Sequence, residues 1–155
     1  MKTYTMYTDG SHFKNGGSGR LGCGGVLVEE TGGYGTEVDR YWEELKPEYL
    51  EEHFGSSAVS NPTAEMIGVL RGLMKFDIPK GSEVTVKADY AGVKSWMNGT
   101  WKIKEPYIQK VKNEIDKTIR DKRIKVSFDW VKGHQRVHDK DSYWNNETDK
   151  LAKGL

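Results

Sequence analysis

Lys2-Thr3-Tyr4-Thr5-Met6-Tyr7-Thr8-Asp9-Gly10-Ser11 opens as a strand and closes as a turn. Residues 2–8 alternate and are rich in Thr and Tyr, side chains that suit a pleated, half-buried surface. Asp9-Gly10-Ser11 is a turn signal, and Gly16-Gly17-Ser18-Gly19 extends it into a loop. An acid is thereby placed at a strand end.

Reading outward, Leu21 to Glu30 forms a second strand, with Gly22, Gly24 and Gly25 marking a bulge or a close backbone approach. Thr31-Gly32-Gly33 turns the chain into a third strand near Tyr34 to Leu45. Residues 46–60 are irregular and acidic. Asn61-Pro62-Thr63-Ala64-Glu65 then reads as a helix start, with Asn61 as N-cap, Pro62 at the first position and Glu65 in the first turn. The stripe Met66, Ile67, Val69, Leu70, Leu73 and Met74 continues that helix until Pro79-Lys80-Gly81-Ser82 stops it. Glu83 to Ala88 is a short strand ending at Asp89, and Ala91 to Met97 a short helix closed by Asn98-Gly99. Pro106 opens a longer helix marked by Ile108, Val111, Ile115 and Ile119. Arg123 to Trp130 is a strand, and a polar loop over 132–144 leads to a last helix beginning near Asn145. The order βββαβααβα predicts an α/β fold. Its mixed five-stranded sheet has three antiparallel strands, then two joined through helices, with helices on its faces.

A chain of 155 residues suits one domain spanning 1–155 around one core. Apolar residues make up 35% and the mean hydropathy is −0.75, so five Trp and eight Tyr must supply much of the buried area. The single Cys23 excludes an internal disulfide and a cysteine-based zinc site. No signal-like or membrane-spanning apolar stretch is present, so a soluble, cytoplasmic, monomeric protein is expected, and the opening Met1 favours a free-standing chain over a polymerase-linked domain. The net charge of +1 conceals a segregation. Residues 29–54 hold nine acids against two basic residues, a net of −7, whereas 87–136 hold thirteen Lys and Arg against six acids, a net of +7. A polyanion approaching one side fits that pattern, and so do two solvated surfaces of opposite sign.

Four acids differ from the rest by position. Asp9 and Asp89 end strands, Glu65 lies in a helix's first turn and Asp149 lies in the last helix. Taken singly, each is an ordinary turn or helix acid. Strands 1 and 4 can be neighbours, and carboxylates gathered at their ends repel unless protonated or metal-bound. Hard oxygen ligands favour Mg²⁺ or Mn²⁺.

In order, Tyr7-Thr8-Asp9-Gly10-Ser11, Asn61-Pro62-Thr63-Ala64-Glu65, Lys87-Ala88-Asp89-Tyr90, Trp130-Val131-Lys132-Gly133-His134 and Asn145-Asn146-Glu147-Thr148-Asp149-Lys150-Leu151-Ala152 resemble the motif set of type 1 ribonucleases H. The resemblance runs nearly end to end and agrees with the element order. It implies an endonuclease that hydrolyses the RNA strand of RNA/DNA hybrids, with Asp9, Glu65, Asp89 and Asp149 holding two Mg²⁺ ions, Mn²⁺ being the alternative. The implied products carry 3′-hydroxyl and 5′-phosphate ends. His134 matches a histidine that assists proton transfer or product release, and histidine is the side chain that ordinarily titrates nearest neutral pH. Gly10 and Ser11 are implied as contacts beside the metals, and Asn61 as a minor-groove contact.

Asn98-Gly99-Thr100-Trp101-Lys102-Ile103-Lys104 is similar to the compact members that lack a basic handle helix. Trp101, Lys102 and Lys104 suit stacking on sugar or base beside phosphates, although Trp101 could instead pack beneath the helix connection. Trp96 is expected in the core, and His12, His53 and His138 on the surface. Two departures stand out. Tyr90 replaces the Ser or Thr that commonly follows the third motif's Asp, and Pro62 stands where a second Asn is frequent. Residues 46–60 and 136–144 read as insertions, the acidic one facing away from the substrate groove or gating it. Two alternatives remain: a DNA-acting nuclease or resolvase of the same fold, and a hybrid-binding module with weak catalysis.

Overall fold

The computed structural model describes residues 2–15, 18–55 and 60–154, with backbone only over 12–15 and 18–20. The strands are β1 (Thr3–Asn15), β2 (Ser18–Glu29), β3 (Thr36–Leu45), β4 (Glu83–Ala88) and β5 (Lys125–Trp130). The helices are α1 (Pro47–Phe54), α2 (Asn61–Lys75), α3 (Ala91–Met97), α4 (Pro106–Lys122) and α5 (Lys140–Ala152). They form one mixed sheet in the order β3-β2-β1-β4-β5. β1 pairs antiparallel with β2 and parallel with β4, which pairs parallel with β5. The predicted fold class is the observed one.

Two differences bear on the site. β1 continues through Asp9-Gly10-Ser11 to Asn15, because Asp9, Gly10 and Ser11 pair with Gly24, Cys23 and Gly22 of β2. Cross-strand pairing overrides the local turn preference of Asp-Gly-Ser. Asp9 is therefore inside β1, yet beyond the end of β4, whose last pair with β1 is Thr8↔Ala88. Of the predicted loop, Gly16 and Gly17 lie outside the described residues, while Ser18 and Gly19 belong to β2.

The last helix starts at Lys140, five residues ahead of the expected Asn145. Asp139 accepts from the Ser142 backbone N–H at 2.8 Å, and the Ser142 hydroxyl accepts from the Asp139 N–H at 3.1 Å. This reciprocal cap nucleates a turn whose polar residues carry little helical signature. Likewise 47–54 is a helix, α1, where irregular chain was expected. Pro47 starts it, Gly55 ends it at φ 73, and buried Leu50 and Phe54 give it a footing too short to show as periodicity. Ser56 and Ser57 lie outside the described residues.

The two faces are covered unequally. α2 lies on β1 and β2 and α4 packs against α2, so that Ile67, Leu73, Val111 and Ile115 share one core with Met6, Leu27 and Val86 of the sheet. On the other face α5 rests on a small cluster of Tyr7, Val26, Val28 and Trp144. Among the described residues, no helix is long and apolar enough to cross a membrane.

Candidate metal centre and nucleic-acid interface

Because the parallel β1–β4 ladder stops at Thr8↔Ala88, Asp9 and Asp89 emerge side by side one residue further on. The third acid arrives through an unusually close backbone approach. A Cβ on Gly10 would stand 2.3 Å from the Ala64 carbonyl carbon and 2.4 Å from the Glu65 nitrogen, so only glycine lets α2 lie against β1 here. The Gly10 N–H donates to Glu65 Oε1 at 2.6 Å and to Asp9 Oδ1 at 2.9 Å. Glu65 is the fifth residue of α2 and not in its first turn. Among the described residues, Asp9, Glu65 and Asp89 form a group in which one carboxylate oxygen of each lies within 4.8 Å of the others.

These acids are crowded and nearly dry. Asp9 and Glu65 are each 4% exposed, and Glu65 Oε2 is buried with no hydrogen-bond partner. Burial first, then the hydrogen bond and charge of Glu65, raise the Asp9 carboxyl far above the usual carboxylate range. Burial also raises Glu65, to about 7, although bonds from Asp9 and the Gly10 N–H oppose it. Asp89 is raised by burial, against a hydrogen bond from Asn145. Three such groups cannot all ionise without a compensating charge. An all-oxygen donor set with an orphaned carboxylate oxygen fits a hard divalent cation.

Asp149 adjoins that trio from α5, and its carboxylate adds to the burial that raises Asp9, Glu65 and Asp89. It lines the same cavity, of about 410 Å³, and its Oδ2 accepts at 3.0 Å from Nζ of Lys153, the C-cap of α5. The four acids of the sequence thus lie together, and Asp149 is also held by an ammonium. His134 also lines the cavity, in a left-handed backbone conformation at φ 54. Its loop is anchored where Gln135 Nε2 donates to the Gly133 carbonyl at 3.1 Å and Asn146 Nδ2 to the Gln135 carbonyl at 2.8 Å.

The substrate candidates divide by place. Gly10, Ser11 and Asn61 line the cavity, with the Gly10 N–H already committed to carboxylates. Asn61 is not the cap of α2. Ser60 is, its Oγ accepting from the Thr63 N–H at 3.3 Å, which leaves the Asn61 side chain free for the cavity. Trp101, Lys102 and Lys104 are exposed on the α3–α4 connection, outside the cavity wall. Trp101 is 43% exposed and meets Trp96 and Tyr90 edge-on, at 6.1 and 6.4 Å between centroids. Trp96 is half-buried at the margin of the core. His53 stacks on Tyr49, His138 lies 3.5 Å from Asp139, and the side chain of His12 lies outside the described residues.

Sequence reasoning gave no role to Asn145, whose Nδ2 donates to Asp89 Oδ2 at 3.4 Å, or to Lys153. Tyr90, noted only as a departure, also lines the cavity. The four-residue steps from Asn145 to Asp149 to Lys153 were the available signal, since they share one helix face.

Residues 1–154 match the family model described as RNase H. The chain belongs to the RNase H family. A search of curated protein sequences finds no match. Among solved structures, this RNase H resembles the N-terminal RNase H domain of rv2228c from Mycobacterium tuberculosis, at 22% identity and TM-score 0.71, covering 99% of this chain and 93% of that one. RNase H1 of the halophilic archaeon Halobacterium salinarum NRC-1 is 18% identical at TM-score 0.68, with coverages of 97% and 95%. LC11-RNase H1, solved in complex with an RNA/DNA hybrid, is 19% identical at TM-score 0.70, with coverages of 98% and 95%. At these identities the structures speak for the fold, while the family match makes this chain a ribonuclease H and hence a hydrolase.

Proposed function

We propose that this RNase H hydrolyses the RNA strand of RNA/DNA hybrids at the Asp9–Glu65–Asp89 cluster, with Asp149 completing a two-ion site. The observation that carries the reading is the orphaned, buried Glu65 Oε2 within a carboxylate trio at the ends of β1 and β4. Two Mg²⁺ ions, or Mn²⁺ in their place, would supply positive charge that eases ionisation of the attacking water and stabilises the departing oxygen. Asp9, Glu65, Asp89 and Asp149 would hold those ions, the last of them from α5. Water adds to the scissile phosphorus as the bond to the ribose 3′ oxygen breaks, leaving 3′-hydroxyl and 5′-phosphate ends. His134 carries a proton between water and the reacting phosphate from its place on the cavity wall.

Strand selection falls to groups beside the trio. Telling RNA from DNA requires a donor or acceptor at the 2′-hydroxyl in a shallow minor groove. Asn61 and Ser11 face the cavity with such groups. Trp101, Lys102 and Lys104 extend the contact along the backbone of the duplex outside the cavity. The test is cleavage of matched RNA/DNA, RNA/RNA and DNA/DNA duplexes with Mg²⁺. Cutting confined to the RNA of the hybrid is expected. Cutting of DNA duplexes, or none despite bound Mg²⁺, overturns the reading.

A further inference from the structure

A second polar cluster lies under α5, two residues short of the acids along both strands. Tyr7 and Lys87 are direct partners in the β1–β4 register, so their side chains stand together on the α5 face. The Tyr7 ring is fully buried, and its hydroxyl donates to Asp141 Oδ1 at 2.6 Å. Lys87 Nζ donates to both Asp141 oxygens, at 3.0 and 2.9 Å. Asp141 sits in the first turn of α5, just after its Asp139 cap.

Helix and strand then advance in step. Four residues of helix rise ~6 Å and two residues of strand ~6.6 Å. From Tyr7 and Lys87 the strands advance two residues to Asp9 and Asp89, while α5 advances one turn from Asp141 to Asn145. There Asn145 Nδ2 meets Asp89 Oδ2 at 3.4 Å. One turn more brings Asp149 to the cavity. Asp141, Asn145 and Asp149 share one face of the helix, so the first contact sets the register of the other two.

The apolar footing of α5 cannot set that register alone. It consists of Tyr7, Val26, Val28 and Trp144 with half-buried Tyr143 and Leu151 against them, and β2 presents glycine where a Cβ on Gly24 would come within 2.8 Å of Leu151 Cβ. Apolar contact is non-directional, whereas a half-buried, multiply hydrogen-bonded ion pair favours one arrangement.

We propose that Asp141 is a positioning residue: held by Tyr7 and Lys87, it fixes α5 so that Asn145 orients Asp89 and Asp149 completes the metal site. This inference rests on the two-ion reading above. The test uses Asp141→Asn and the gentler Tyr7→Phe, which keeps the buried ring. Each is followed by the Mg²⁺ dependence of hybrid cleavage and by the NMR signal of the Asn145 side-chain amide in metal-free protein. Half-saturating Mg²⁺ should rise roughly 10-fold in Asp141→Asn, as for partners that orient metal ligands, and less in Tyr7→Phe. The KM for hybrid should hold, saturating Mg²⁺ should restore kcat, and the Asn145 amide signal should move in both variants. A lost kcat with unchanged half-saturating Mg²⁺ marks a merely structural role and overturns the proposal, as does an unmoved Asn145 signal. Should Asp141→Asn fail to fold, Tyr7→Phe decides alone by the same criteria. Wild-type protein without Mg²⁺-dependent cleavage overturns the two-ion reading instead, and the Asn145 signal still decides whether the lock positions α5.

Discussion

The sheet is gripped from both faces, but by different chemistry. On the α2 side the contact is broad and apolar, with Met6, Ile67, Leu73 and Val86 among its fully buried members. On the α5 side a small apolar cluster is supplemented by directional bonds, from Tyr7 and Lys87 to Asp141 and from Lys140 to Glu30. Each face delivers part of the proposed metal centre: α2 brings Glu65, and α5 brings Asn145 and Asp149. The first face buries the larger apolar cluster, while the second adds directional polar contacts. Glu65 needs no such aiming, because the Gly10 N–H holds it at 2.6 Å where the backbones nearly touch.

The contrast can be broken or sharpened by experiment. The largest effect is expected at the junction of the faces. Asp9→Asn should lower single-turnover hybrid cleavage by roughly 10³-fold or more, since metal-borne charge stabilisation contributes several kcal/mol. Cleavage within ten-fold of wild type would remove Asp9 from the metal centre. Next come the faces themselves. Ile67→Ala should cost about 2–5 kcal/mol in denaturant unfolding. Trp144→Phe keeps most of its ring and loses the bond to the Tyr34 carbonyl at 2.7 Å. It should cost about 1 kcal/mol. Equal costs would abolish the division between a stabilising and an aiming face.

A third test uses pH without metal. The folded-state pKa of Asp9, Glu65 and Asp89 is raised, so the unfolded chain releases these protons first as pH rises. Their favourable contribution is complete below the ordinary carboxyl range and is lost as pH climbs through the folded values, about 7 for Glu65. The melting temperature of metal-free protein should therefore fall from pH 5 to pH 8, less so in Asp9→Asn, and Mg²⁺ should reverse the loss at the alkaline end. A flat or rising profile would mean that the trio is not strained when empty of charge compensation. The smallest effect is reserved for Trp101→Ala, which should raise the KM for hybrid roughly five-fold, the lower end of what one stacking contact contributes. An unchanged KM would leave Trp101 as a packing residue against Trp96 and Tyr90.

Much of this molecule was legible before folding. The period-2 runs of Val84, Val86 and Ala88, and the helical stripe from Met66 to Leu73, carry their own secondary structure, and the element order follows from them. The identity of the four acids and of His134 was legible as motifs in order. The starts of α1 and α5 were not, because a two-residue apolar footing or a capping box among polar residues has no period to read. Asn61 was misassigned as a cap for a related reason: Ser60 and Asn61 are both good capping residues, and only the backbone shows which one accepts from the Thr63 N–H.

What the sequence determined by itself is therefore the kind of fold, the family and the cast of chemical groups, since propensity, hydrophobic period and motif order are properties of neighbours along the chain. What only the tertiary structure decided is how those groups meet. That Asp9 lies inside β1 yet past the end of β4 depends on a register with residues 85–88. That Glu65 joins it depends on a glycine pressed against a helix fifty-five residues away. That Asp149 joins them depends on how α5 lies against β1 and β4, where Asp141 meets Tyr7 and Lys87. Carboxylates separated by dozens of residues acquire a common electrostatic fate only when packing removes the water between them, and no local pattern encodes that distance.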